Sequence, residues 1–290
     1  MKKLWSVIYF IYSICTIQYL KMGTSSSDLS SGLDSIGSVD DTINKIIFCA
    51  PDTDKKLFVT LNDKSTKLLY APSSGIMTST IIITPVNKKN DKWVIFSHGN
   101  GCDIYTFYSY LKQFSDTFGV TVVCYDYPGY GLTEGKATEE TCYQSLVGVV
   151  AHVSTLINPS NIILIGQSLG TGVVINYISK HPWMNPTVLI SPYKNIPAVA
   201  IDTSCVTSLT KNYKFHSHAK MEDIKCPVKI FHGDVDEFIN ISHAKELYSK
   251  LPNKSLLPIW IPGAGHNDIL YQIAHKDILE VINYKIPSKI

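Results

Sequence analysis

The sequence predicts an α/β fold: a mostly parallel eight-stranded sheet with helices on both faces. Three observations predict it. Short continuous apolar runs at 93–97, 120–125, 162–165, 187–190 and 228–231 alternate with helical patterns. Strands covered on both faces by crossover helices read this way, because neither face of the strand meets water. The chain has 290 residues, 45% hydrophobic and 17% charged, enough for one large α/β domain. Finally, Ile162-Ile163-Leu164-Ile165-Gly166-Gln167-Ser168-Leu169-Gly170 runs from a buried strand through a glycine-flanked turn into a helix.

The elements follow in order. Lys2 and Lys3 precede an uncharged run from Leu4 to Leu20, which Lys21 closes. Residues 1–21 are expected to be a membrane anchor at the short end of the spanning range. A cleaved signal is the second reading, although no A-x-A-like site follows. The third is an extension ahead of a true start at Met22, where Met22-Gly23-Thr24-Ser25-Ser26-Ser27 fits the myristoylation pattern. Residues 22–43 are Ser, Gly and Asp rich without hydrophobic period and read as a flexible linker. The folded domain is expected over 44–290. It opens with strands at 46–48, 57–61, 68–70 and 80–84, split by turn clusters, so an antiparallel start is expected. Strands at 93–97, 120–125, 162–165, 187–190, 228–231 and 257–261 then alternate with helices at 105–118, from a Thr138 cap to about 156, after Ser168, at 242–251 and at 268–284. Between 191 and 225 the pattern breaks down, which predicts a small helical flap, or no lid, over an open site.

Charge and cysteine usage narrow the function. The 26 cations balance 24 Asp and Glu to a net charge of +2, and every cation is lysine. No strong field for nucleic acid follows, and no guanidinium fork is present to read guanine or clamp a phosphate. The seven cysteines include no C-x-x-C and none at zinc-ligand spacing to histidine, so neither a metal site nor a disulfide framework is expected. No cofactor is expected.

Gly166-Gln167-Ser168-Leu169-Gly170 carries the chemistry. Strand, sharp turn and helix are the context in which G-x-S-x-G lifts a serine hydroxyl above a sheet. A Cβ at Gly166 or Gly170 would collide with the neighbouring strand or helix. Serine is a weak nucleophile at neutral pH and needs a base. His266, after the last strand in Pro262-Gly263-Ala264-Gly265-His266, is the expected base. Asp236, three residues past Gly233, is the expected acid, ahead of Asp234, expected to organise its own turn, and Glu237. The expected oxyanion donors are the backbone N–H groups of Leu169 and of Asn100, with Gly101 second to Asn100. His98 and His232 read as structural turn residues, and His152, His181, His243 and His275 as surface or packing residues. His216 and His218 fall in the flap.

These residues resemble the alpha/beta-hydrolase superfamily and, more narrowly, the abhydrolase-domain 17 family of protein depalmitoylases. The resemblance rests on Phe96-Ser97-His98-Gly99-Asn100, Tyr125-Asp126-Tyr127, Gly129-Tyr130-Gly131, Gly166-Gln167-Ser168, His232-Gly233 with Asp236-Glu237, and Gly263-Ala264-Gly265-His266-Asn267-Asp268-Ile269. It implies thioester hydrolysis of S-palmitoyl cysteine by Ser168, Asp236 and His266, on an acylated protein or lipid at a membrane. A carboxylesterase or lipase acting on lysophospholipid or monoacylglycerol is the alternative. A catalytically inactive membrane-tethered binding module is the third reading. Family members carry an acylated cysteine cluster at the N-terminus, whereas here only Cys15 lies in the leading segment. The single-span abhydrolase-domain 13 proteins resemble the anchor-plus-linker arrangement. Lys2 and Lys3 against Lys21 place the amino end in the cytosol and the domain across the membrane, while the family analogy places the domain in the cytosol. Glycosylation sequons at Asn240 and Asn253 bear on the same question.

Overall fold

The structure, a computed structural model, describes residues 47–202 and 215–286. The expected anchor and linker, and residues 203–214 of the flap, lie outside the described residues. The first hairpin pairs β1 (Thr66–Ser73) with β2 (Ile76–Ile83), in register from Thr66↔Ile83 to Ser73↔Ile76. Its two loop residues, Ser74 at φ 45° and Gly75 at φ 82°, are both left-handed. That is what a two-residue type I′ turn requires to match strand twist. β3 (Trp93–Ser97), β4 (Thr121–Tyr125), β5 (Ile162–Gln167), β6 (Thr187–Ile190), β7 (Val228–Gly233) and β8 (Ile259–Ile261) complete an eight-stranded sheet in the order β1-β2-β4-β3-β5-β6-β7-β8. β1, β2 and β4 pair antiparallel; every pairing from β4 to β8 is parallel. The ends of β3, β5, β7 and β8 therefore lie along one edge, and the loops that leave them meet there.

Period-two alternation divides the buried strand residues between two layers. Phe96, Cys124, Ile163, Ile165 and Phe231 face α1 (Ile104–Phe118) and the C-terminal helices, through Phe107, Leu111, Phe114, Ile278 and Val281. Ile95, Val123, Leu164, Leu189 and Ile230 face α2 (Glu139–Leu156) and α3 (Leu169–Lys180), through Leu146, Val149, Val153, Val173 and Val174. α2 starts where the sequence places it, with Thr138 and Thr141 forming a reciprocal capping box. α4 (Ile196–Asp202) and α5 (Ser217–Lys220) follow β6, and α6 (Ile241–Lys250) follows β7.

Three expectations are corrected. Lys55–Leu61 is a 3-10 helix, not a strand. Its buried residues are Phe58 and Leu61, three apart, so a turn of three residues presents both to the core where a strand would split them. Asp54 caps it by accepting the Lys56 N–H at 2.9 Å. The expected last helix is two, α7 (Ile269–Gln272) and α8 (His275–Ile282). Ile273 and Ala274 are extended between them and re-aim the chain, so that Ile269, Ile273, Ile278 and Val281 all reach one apolar layer. Ile47 is helical and 48–50 run on irregularly, so the described part of 46–48 does not form the expected strand.

Candidate active site

Ser168 stands between β5 and α3 at φ 48°, ψ −117°. A non-glycine residue pays about 1–3 kcal/mol to hold such a conformation, so the surroundings must over-determine it. They do so from both sides. The Ser168 N–H donates to the Ile190 carbonyl at 2.9 Å, and the Ser168 carbonyl accepts from the Thr171 N–H at 2.9 Å and its hydroxyl at 2.6 Å. The glycines are used as the sequence suggests. A Cβ on Gly166 would sit 2.6 Å from the Gly170 oxygen, and one on Gly170 would overlap the Ser97 carbonyl.

The β8–α7 loop brings His266 to Ser168, and the β7–α6 loop brings Asp236 to His266. His266 Nε2 lies 3.0 Å from Ser168 Oγ, and His266 Nδ1 lies 2.8 Å from Asp236 Oδ2. With Nδ1–H donated to the carboxylate, Nε2 is left as the acceptor for the serine hydroxyl. Asp236 Oδ1 accepts the N–H groups of Phe238 at 3.0 Å and Ile239 at 2.8 Å. Burial raises the Asp236 pKa, but the His266 contact and the backbone donors outweigh it and hold the carboxyl below its ordinary range. The site thus keeps an anion under the imidazole, as a base that must become imidazolium requires.

The other two carboxylates of this loop have different tasks from those expected. Asp234 does not organise its own turn. Its Oδ1 accepts the Gly263 N–H at 2.7 Å and ties the β7 loop to the β8 loop. Glu237 Oε2 accepts the His266 N–H at 3.4 Å. The buried His232 does more than end a strand. Its Nε2–H donates to the Ile239 carbonyl at 2.7 Å and lies 3.5 Å from Asp236 Oδ2. Burial holds its pKa down, so the ring works as a neutral brace for the curl that presents Asp236. The only hint in the sequence is His232-Gly233 itself.

The β3 loop lies on the other side of Ser168. A Cβ placed on Gly99 would be 3.6 Å from Ser168 Cβ, so this loop abuts the serine. Leu169 begins α3, where the first N–H groups have no partner inside the helix. Among the described residues neither the Leu169 nor the Asn100 N–H meets an acceptor. His98 is fully buried and donates Nδ1–H to the Gly99 carbonyl at 2.8 Å. Burial pulls its pKa down to about 4, which keeps the ring neutral. Of the remaining histidines, His218 Nε2 pairs with Glu246 at 2.7 Å, His275 packs edge-on to Phe118, and His243 is buried under Lys194, whose N–H its Nδ1 accepts at 3.2 Å. His216 is exposed. No metal-binding group of His, Cys, Asp and Glu occurs among the described residues.

Comparison with known proteins agrees with this architecture. The family model described as serine aminopeptidase, S33, of the alpha/beta-hydrolase class, matches residues 88–217. An alpha/beta hydrolase of Acanthamoeba polyphaga mimivirus is 43% identical over 257 residues, 85% of this chain and 95% of that one. The alpha/beta hydrolase domain-containing protein 17C of Xenopus tropicalis is 32% identical over 198 residues, and the human protein of that name 31%. Each match takes in 67% of this chain but only 63% and 59% of the relative's length. An esterase of Pyrococcus furiosus superposes with a TM-score of 0.61 at 19% identity, over 77% of this chain and 91% of that one, which shows a shared fold. With the strand order, the turn at Ser168 and the near-full-length viral relative in agreement, the chain belongs to the alpha/beta-hydrolase family.

Proposed function

We propose that the protein is a serine hydrolase that cleaves acyl thioesters, with S-palmitoyl cysteine in proteins as its substrate. The observation that carries the reading is the continuous hydrogen-bonded chain from Ser168 Oγ through His266 to Asp236. In the proposed reaction His266 Nε2 takes the Ser168 proton as Oγ attacks the acyl carbonyl. The Leu169 and Asn100 N–H groups receive the oxyanion, and Asp236 stabilises the imidazolium. His266 then returns the proton to the departing cysteine sulfur, leaving an acyl-serine. Water, activated by the same imidazole, releases the fatty acid and restores Ser168.

The choice of thioester rests on similarity to the domain-containing protein 17 relatives and on the expected membrane anchor at 1–21, which would hold the site near lipidated proteins. Among the described residues no helix is long and apolar enough to cross a membrane; the proposed attachment is through that leading segment. Oxygen esters such as monoacylglycerol and lysophospholipid need the same machinery. The test is turnover of a palmitoylated peptide thioester against monoacylglycerol and lysophosphatidylcholine under one set of conditions, with Ser168→Ala as control. Faster thioester turnover is expected. Faster lipid turnover would replace the substrate with a lipid ester, and no turnover or fluorophosphonate labelling at all would favour the binding-module reading.

A further inference from the structure

We propose that Tyr130 and residues 47–49 are positioning elements of the active site, which fix the Gly99–Asn100 peptide as an oxyanion donor by holding the Asn100 carboxamide. The inference rests on the serine-hydrolase reading and names residues which that reading leaves unassigned. Asn100 Oδ1 accepts the Cys49 N–H at 2.8 Å and the Tyr130 hydroxyl at 2.6 Å, while Nδ2 donates to the Ile47 carbonyl at 2.8 Å. Both acceptor lone pairs and one amide proton are used. The amide has one workable orientation, because turning it over would point NH₂ at the Cys49 N–H and oxygen at the Ile47 carbonyl. The partners lie 51, 30 and 53 residues away in sequence, so the side chain is held from two separate stretches of chain, 47–49 and Tyr130.

A side chain bound at three points restrains its own backbone. The preceding peptide is restrained independently, because His98 Nδ1–H holds the Gly99 carbonyl. In a trans peptide the C=O and the following N–H point in opposite directions. Fixing the Gly99 oxygen on His98 therefore sends the Asn100 N–H the other way, out of a loop that abuts Ser168. The frame behind it is rigid. The Tyr130 ring packs edge-on to Tyr127 with centroids 5.6 Å apart, and the Tyr127 hydroxyl donates to the His98 carbonyl at 2.9 Å. An oxyanion donor works only if it is aimed before charge develops, so this bracing acts on the transition state and leaves ground-state binding alone.

The test uses the full-length chain, a p-nitrophenyl acyl ester and an aryl boronic acid, whose serine adduct imitates the tetrahedral intermediate. Removing an oxyanion donor outright costs roughly 10²–10³-fold in kcat, so misaiming one by Asn100→Ala is expected to cost about 10- to 100-fold. KM should stay within about twofold, and boronic acid affinity should fall by the same factor as kcat/KM. Tyr130→Phe keeps the ring and removes one of three bonds, and is expected to cost about 3- to 10-fold with the same split. Since Tyr130 acts through Asn100, the double variant should be no slower than Asn100→Ala alone. Unchanged kcat and boronic acid affinity in Asn100→Ala would overturn the proposal, and so would losses that multiply in the double variant. Should Asn100→Ala fail to fold, Tyr130→Phe decides alone, and unchanged kcat there is the overturning result. Ser168→Ala separates the two readings: full turnover in that variant would remove the serine mechanism itself, whereas its loss beside an unaffected Asn100→Ala would remove only the positioning role.

Discussion

On the β7–β8 side of Ser168, side chains are the instruments. In the proposed reaction Asp236 and His266 carry charge and proton, and Asp234 and Glu237 bond the two loops together through the Gly263 and His266 N–H groups. On the β3 side the proposed instrument is a backbone N–H, and side chains serve only to aim it. His98 holds the Gly99 carbonyl, and Tyr130 with residues 47–49 holds Asn100. A function carried by a side chain is lost when the residue is replaced, whatever the loop does. A function carried by the main chain survives replacement of the residue, provided the orientation is kept.

Predictions that break or sharpen this contrast run from large to small. Ser168→Ala removes the atom both sides serve, and should lower kcat by roughly 10⁵–10⁶-fold and abolish fluorophosphonate labelling. Persistent labelling would sink the assignment. Asp236→Asn strikes the side-chain half. It should cost about 10⁴-fold in kcat by presenting the wrong His266 tautomer, while the melting temperature stays near native. A loss under tenfold would show that Asp236 only braces the loop. The Asn100→Ala loss set out above is expected to be smaller than either, because the donor itself remains.

The next prediction concerns stability. Gly170→Ala drives a Cβ into the Ser97 carbonyl, which is backbone and has little room to give. It should destabilise by about 1–3 kcal/mol or more, read by thermal or denaturant unfolding, and displace the β3 loop with it. A native-like melt would mean that α3 and β3 slide apart freely. The smallest effect is on pH. Burial pushes Asp126 up to about 7 and pulls His98 down to about 4, and the two lie 3.7 Å apart beneath the β3 loop. The raised Asp126 favours the fold fully below its ordinary value of 3.8, and this contribution is lost as pH rises through about 7. The depressed His98 favours the fold fully above 6.5, and its contribution is lost as pH falls through about 4. Over about pH 4 to 6.5 the two contributions run in opposite directions and oppose each other in the native protein, so Asp126→Asn should leave stability rising with pH across that window and His98→Gln should leave it falling. Parallel curves for native protein and both variants would contradict the burial of this pair. Asp236, held below its ordinary range, loses its contribution only at lower pH still.

Much of this was legible in the sequence for local reasons. Glycine on both sides of Ser168 states a close approach of main chain, and the structure puts the Gly170 position against Ser97. Thr138 is a cap because its hydroxyl reaches an N–H three residues on. Apolar runs of four to six residues between helical patterns can be buried only in a covered parallel sheet. The order serine, acid, histidine after β5, β7 and β8 brings Ser168, Asp236 and His266 to one edge of such a sheet, and the hydrogen bonds join them there.

The sequence by itself determined those features because each depends on a residue's chemistry and its near neighbours along the chain. Tertiary structure alone decided the others. Leu57-Phe58-Val59-Thr60-Leu61 has strand composition, yet the core offers it two contacts three residues apart and it winds into a 3-10 turn. Ile273 and Ala274 leave a helical pattern because the same apolar layer must be reached twice. His232 became a brace for Asp236, and Asn100 was bound by residues 47–49 and Tyr130, through partners that share no local motif with them. Hydrogen bonds between stretches 30 to 53 residues apart exist only once the sheet order has set which loops face each other. The aim of a backbone N–H, common to every residue but proline, is written in no side chain at its own position.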